Sequence, residues 1–486
     1  MTGVPQRTRM SAPDALPRPD VLVPQPYELP VPTRFRLANG ASGLAYDLPG
    51  QYVLSVRLSV PMPLRVEPRD LEGVATIMAR TLDEGTARHT SVEFARLLER
   101  RGVAIGCGVG DSGLSVELDV AKHHLAYGLD LMHQCLAEPA FPAEEVARQV
   151  STRLAEIEQE RSVASHRVAA NSAAARCEAI EQERSVASHR AAAEFAATFY
   201  SPVGRSSRPV GGTAETVAAI TRDAVVAFHA EHVAPAEATV VVAGDLAGLD
   251  VVAELDLSLG RWGTPDTYRS PGPWQVTPRA DDRARIVVVD RPSSVQTELM
   301  IGAPGPDRRH PGGWAPYPLL GFLVGGSPTA RIDAVLREDK GYTYGIRSTF
   351  RPRRRGGVFI TAGSVRSEVT GDALRLLLDV LEHGREGFTQ DEVDHAAQFL
   401  VLTAPSRYAT ADTIADEAAS LSFDGLDTGF TSRNLVEIAG MDAERAGAAY
   451  REFIDGRWTV VLVGDAASFL ADVQALGRGD VTVVPN

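Results

Sequence analysis

The sequence predicts an α+β fold built twice: two homologous halves, each a mainly antiparallel sheet covered by helices, joined by a linker. Three observations carry this expectation. Strand-like stretches alternate with amphipathic helical ones such as 90–101, 140–160 and 370–384, the pattern of a sheet with helices packed on it. Features also recur in the same order: "ATVVVAGDL" (238–246) returns as "WTVVLVGDA" (458–466), and "LLERRGVAIGCGV" (97–109) as "VLREDKGYTYGIR" (335–347). Recurrence of several features in order argues for duplication more strongly than one match does. Between the halves, "RWGTPDTYRSPGPWQVTPRADDR" (261–283) is rich in Pro, Gly and Asp and has no apolar period.

Taken in order, residues 1–31 are Pro-rich with no apolar signal-type core and read as an extended, loosely held arm. Residues 32–260 form the first half, which opens on "YVLSVRLSV" (52–60). Residues 261–283 are the linker. Residues 284–486 form the second half, opening on "ARIVVVDRP" (284–292) and "VQTELMIGA" (295–303). "RPRRR" (351–355) reads as a solvated hairpin tip. "IEQERSVASHR" occurs at 157–167 and, identically, at 180–190. Extending one helix by that 23-residue repeat would add about 35 Å and turn its downstream face by roughly 140°. A helix–turn–helix excursion is the alternative, and a tolerated surface insertion needs no function.

The formal charge of −14 speaks against nucleic acid or an anionic membrane as partner. No 18 consecutive apolar residues occur, so no membrane span is expected. Cys107, Cys135 and Cys177 are scattered, with no zinc or redox pair, which predicts a soluble protein of the reducing cytoplasm.

"GVATIMARTLDEGT" (73–86) reads as a helix running into a Gly-Thr turn. With the two-half pattern and the 335–347 stretch, it resembles the insulinase/mitochondrial-processing-peptidase family, the pitrilysin-type inverted zincins, from about residue 32 onward. Active members carry G-L-A-H-F-L-E-H-M-x-F-x-G-T there, and the frame fits without a gap. The resemblance implies half of a clamshell peptidase. It also implies that the chemistry is gone. The two histidine positions hold Thr76 and Arg80, and the catalytic glutamate position holds Ala79. Histidines at i and i+4 grip one zinc ion and the glutamate polarises its water. Thr is a poor ligand, Arg repels a dication and Ala takes no proton. The family's third ligand falls 74–76 residues further on; the helical frame aligns Leu154 with it, while Glu156 fits by count alone. "HAEH" (229–232) and His123–His124 are isolated and read as structural or solvated.

"LREDKGYTYGIRS" (336–348), within "GGSPTARIDAVLREDKGYTYG", resembles the family's second signature, with Arg337 and Tyr344 seven residues apart. In the family this pair reaches across a closed chamber, holds the substrate backbone and stabilises charge on the scissile carbonyl. The bland alternative is a helix-end arginine and a packed tyrosine. An emptied zinc helix beside a kept Arg/Tyr pair resembles the non-zinc subunit of bacterial two-chain members. Such a chain has no cofactor of its own and is inert alone. It completes a metalloendopeptidase as a heterodimer with a homologue that carries H-x-x-E-H and the zinc. A catalytically inert scaffold or binding paralogue is the competing expectation. The peptide substrate is not legible.

Overall fold

The computed structural model describes residues 26–161, 173–274, 278 and 283–486. The first sheet takes β1 (Thr33–Arg36), β2 (Ser42–Asp47), β3 (Val53–Pro61), β4 (Ala104–Gly110), β5 (Gly113–Ala121) and β6 (Thr239–Gly244), in the order β1-β2-β6-β3-β5-β4. The second takes β7 (Arg285–Asp290), β8 (Gln296–Gly305), β9 (Ile346–Pro352), β10 (Gly357–Arg366), β11 (Thr459–Gly464) and β12 (Asp480–Pro485), in the order β12-β7-β11-β8-β10-β9. The five central and outer strands correspond one to one, β2-β6-β3-β5-β4 with β7-β11-β8-β10-β9. Most pairs are antiparallel; β2–β6, β7–β11 and β7–β12 are parallel. The recurring Gly-Asp strands are β6 and β11. Each sits mid-sheet, which is why both are apolar without alternation.

The first half carries α1 (Val74–Ala79), α2 (Ser91–Arg100), α3 (Leu125–Ala137), α4 (Ala143–Arg161), α5 (Ala173–Phe199), α6 (Ala214–Ala218), α7 (Arg222–His232) and α8 (Val251–Leu257). The second carries α9 (Pro316–Gly321), α10 (Arg331–Asp333), α11 (Thr370–His383), α12 (Gln390–Arg407), α13 (Ala411–Ser422), α14 (Thr428–Ala439), α15 (Ala443–Phe453) and α16 (Ala466–Ala475). The segment Pro316–Asp339 is long and apolar enough to cross a bilayer by length and composition, yet 61% of its apolar window is buried within the protein.

One face of each sheet is covered by a helix from the other half. Ala187, Ala191, Phe195 and Phe199 of α5, four residues apart, lie on Val287, Val289, Val358, Ile360, Val461 and Val463 of the second sheet. Gly302 of β8 makes this fit: a Cβ there would stand 2.4 Å from the Phe195 ring. Reciprocally, Ala411, Ile414, Ala415 and Ala418 of α13 lie on Leu44, Tyr46, Val241 and Ala243 of the first sheet. Ionic contacts follow the same exchange. Arg57 of β3, its side chain 6% exposed, pairs with Asp119 at 3.0 Å and with Asp416 of α13 at 2.6 Å.

The repeat falls at this exchange. Written one above the other, "AEEV" (143–146) and "QDEV" (390–393) start equivalent helices, and α5 from about residue 186 matches α13 from about residue 410. The second copy of the repeat lies inside α5, and α4 packs on α5. Residues 162–172, in and beyond the first copy, lie outside the described ones. The downstream face is not rotated: Ala187 and Ala191 hold the sheet positions that Ala411 and Ala415 hold in the other half.

Two expectations change. The described end of the arm is clamped: Leu29 is buried, its N–H donates to Ser432 Oγ at 3.0 Å, and Thr428 Oγ1 donates to the Pro30 carbonyl at 2.8 Å. Residues 1–25 lie outside the described ones. The 351–355 stretch does form a hairpin tip, between β9 and β10, but it docks. Arg353 pairs with Asp111 of the first half, and the Arg354 guanidinium lies 4.1 Å over the Trp274 ring.

Candidate functional site

The 73–86 stretch forms α1, whose start is fixed by a buried ionic network. Gly73 sits at φ 101°, where other residues strain. Glu67 Oε1 accepts the N–H groups of Gly73 and Ala75, both at 3.0 Å, capping the helix. Arg205 holds the same carboxylate at 2.7 Å, and Arg208 holds Glu72 at 2.6 Å. Burial pushes the Glu67 carboxyl up in spite of Arg205. This network brings the 205–213 loop against α1.

Thr76 is half-buried, and its hydroxyl donates to the Val210 carbonyl at 3.4 Å. Ala79 is buried in the first core. Arg80, at the end of α1, donates two hydrogen bonds to Glu156 of α4, at 2.8 and 3.1 Å. Arg153 adds a third contact to that carboxylate at 3.0 Å and donates to the Gly211 carbonyl at 3.2 Å. Burial raises the Glu156 carboxyl, but hydrogen bonds from Arg80 and Arg153 outweigh it and hold the group below the usual range. Leu154, which the helical frame aligned with the third ligand, instead packs on the apolar core. Glu156 is the residue of α4 that meets Arg80. Local periodicity cannot show this, because the choice depends on how α4 is rotated against α1.

A zinc ion does not fit these residues. A guanidinium lies against the one carboxylate, and no group of three His, Cys, Asp or Glu able to hold a metal occurs among the described residues. His229 hydrogen-bonds the Leu136 carbonyl at 3.0 Å and meets the Phe141 ring, and burial pushes its pKa down to about 4. His123 and His124 lie against each other.

The second signature lies in the other half. Arg337 sits on a wide π-type turn, Ala334–Asp339, which ends at Gly341 (φ 63°). Its guanidinium is 40% exposed, 3.5 Å from Glu338. Tyr344 is 91% exposed just before β9, and its hydroxyl has no partner among the described residues. The loop beneath is rigidly tied. Thr343 Oγ1 donates to the Ser364 carbonyl at 2.7 Å, and Tyr342 donates to Asp372 at 3.0 Å. Fully buried Asp333 accepts from Arg347 at 2.9 Å. Arg337 and Tyr344 therefore project from one anchored loop, open to solvent.

Two family models match the chain: the insulinase (peptidase family M16) domain over residues 47–187 and the peptidase M16 inactive domain over residues 219–400. The chain belongs to the insulinase-like M16 family. Among M16 relatives, an uncharacterized zinc protease of Streptomyces coelicolor is 29% identical over 195 residues, 39% of this chain and 41% of that protein. One of Mycobacterium tuberculosis is 25% identical over 362 residues, 74% of this chain and 76% of that protein. A non-peptidase homolog of Helicobacter pylori is 22% identical over 373 residues, 76% of this chain and 79% of that protein. The M16 inactive domain solved from Pseudomonas fluorescens superposes with a TM-score of 0.77 at 23% identity, covering 89% of this chain and 97% of that one. A Helicobacter pylori protease structure gives 0.76 at 17%, covering 90% and 100%. At such identities these structural likenesses show the fold alone.

Proposed function

We propose that this M16 chain is the non-zinc subunit of a two-chain cytoplasmic metallopeptidase, supplying Arg337 and Tyr344 to a site whose metal and base a homologous partner holds. The observation that carries this reading is a contrast. At one signature Arg80, where the resemblance expects a histidine, is bonded to Glu156; at the other, Arg337 and Tyr344 stand open on an anchored loop. The match to a non-peptidase homolog supports inertness of the lone chain, and the matches to zinc proteases support a peptidase setting. Arg337 offers a fork of donors to a substrate carbonyl, and Tyr344 offers a phenolic hydroxyl to a developing oxyanion. The free edge of β4 gives an extended peptide a strand to pair with.

The test is reconstitution with a zinc-bearing homologue. Tyr344→Phe is expected to lower kcat by roughly 10²–10³-fold with assembly unchanged. Arg337→Lys is expected to impair KM and kcat together, because an ammonium cannot replace the planar fork. Chains that elute separately and cleave nothing when mixed would sink the proposal. Full turnover in both folded variants would favour the second reading, an inert scaffold paralogue. That reading draws on the Tyr344 hydroxyl having no partner among the described residues and on Arg337 resting by Glu338.

A further inference from the structure

A cavity of about 240 Å³ lies in the second half, where α12, α13 and α14 converge, with Trp314 on its wall. It opens between two apolar cores. Leu400 and Ile438 pack on the core of the second sheet, whereas Ala404, Tyr408 and Leu435 pack on the core that α13 forms with the first sheet. No residue of the two signature stretches lines it.

Two side chains on this wall are incompletely satisfied. Tyr408 and Asn434 are each 8% exposed. The Tyr408 hydroxyl has no hydrogen-bond partner among the described residues. Asn434 Nδ2 donates to the Phe430 carbonyl at 2.9 Å, which fixes the amide and leaves Oδ1 without a partner among the described residues. Neither atom is fully enclosed, so both are open to the cavity they line. The other polar groups of the wall are accounted for. Thr403 donates to the Phe399 carbonyl, Thr431 to Glu417, and Arg308 pairs with Asp424. Arg407 is exposed to solvent. Arg407 and Glu417 both act on Tyr408 and are of opposite charge, so no net charge is left for an ionic ligand to match.

Burial, with Glu417 nearby, pushes the Tyr408 hydroxyl up to about 12, so at neutral pH it keeps its proton and offers a donor. Asn434 Oδ1 offers an acceptor. Unmet in an apolar wall, the two carry a desolvation cost that a ligand with the complementary pair removes.

We infer that this cavity binds a neutral, flat, two-ring lactam or carboxamide, its carbonyl accepting from Tyr408 and its N–H donating to Asn434 Oδ1. An apolar cavity of about 150 Å³ takes up benzene, so the larger space here suits two fused rings. The rings lie among Trp314, Leu400, Leu435 and Ile438. Because α13 packs on the first sheet and α12 on the second-sheet core, the occupant bridges the two halves. The inference goes beyond the peptidase reading and does not depend on it.

Calorimetric titration of the full chain with quinolin-2-one tests this. Binding is expected to raise the melting temperature with ligand concentration. The N-methyl derivative, which lacks the N–H, is expected to bind about fivefold more weakly. Tyr408→Phe is expected to weaken both compounds by about tenfold. Asn434→Leu is expected to erase the difference between them; Asn434→Ser serves if the leucine variant does not fold. Each variant is checked for an intact urea transition. A chain that takes up no quinolin-2-one at about 1 mM holds only water there, and that overturns the inference. So does unchanged affinity in folded Tyr408→Phe. Tighter binding of quinoline-2-carboxylate than of the lactam would make Arg407 the determinant and overturn it as well.

Discussion

Arg80 joins α1 to α4 through Glu156. The pair is about one-third exposed on each side, so its loss is screened: Arg80→Met is expected to lower stability by about 1 kcal/mol or less in urea unfolding. A sharper test is restoration. Thr76→His, Ala79→Glu and Arg80→His together are expected to bind one zinc per chain with Glu156 as third ligand, and adding Glu156→Gln is expected to abolish it, read by elemental analysis. Zinc retained without Glu156 would place the third ligand elsewhere. His229 makes a pH prediction. Burial lowers its folded pKa to about 4 from an unfolded value near 6.5. The unfolded chain therefore takes the proton first, and stability falls as pH drops from about 6.5 to about 4, then levels off. Urea midpoints across that window, compared with His229→Gln, measure the slope that belongs to this residue.

At the scale of elements, the repeat is a natural insertion experiment. Because α5 makes its sheet contacts from Ala187 as α13 does from Ala411, the seam has the same helix positions in both halves. Deleting residues 163–185 restores a single copy. The shortened chain is expected to keep its unfolding midpoint within about 0.5 kcal/mol, the range of surface changes. A loss of several kcal/mol would mean the insertion packs on the body. The start of α12 carries a second prediction. Arg331 bonds Glu392 at 2.7 Å and, with Thr389, pulls that carboxyl down to about 2. Its contribution is present above the unfolded carboxyl value, about 4.3, and is lost as pH falls toward 2. Glu392→Gln is expected to flatten the acid side of the stability curve, with the proviso of partial solvent screening.

Over the whole molecule, each half completes the other's sheet, so neither half is expected to fold as an independent unit. Phe195 belongs to the first half by sequence but lies on the second sheet. Phe195→Ala is expected to cost about 3–5 kcal/mol. Hydrogen exchange should quicken first in β8 and β11, and β3 should follow only with global unfolding. Exchange that quickened only in the first sheet would contradict the reciprocal arrangement.

The sequence by itself determined the doubled plan, the buried character of β6 and β11, and the residue identities along α1. All of these are local patterns: apolar runs, turn residues and residue identities in a fixed frame. Only the tertiary structure decided the rest. It made Glu156, not Leu154, the partner of Arg80, because helix rotation against a neighbour is set by packing far along the chain. It docked the 351–355 tip on Asp111 and Trp274, and clamped Leu29 on α14, because exposure depends on which distant surface arrives. It also exchanged α5 and α13 between the sheets. An apolar helix face says that it will be buried, but not under which sheet, since any apolar surface of the right shape satisfies the hydrophobic effect.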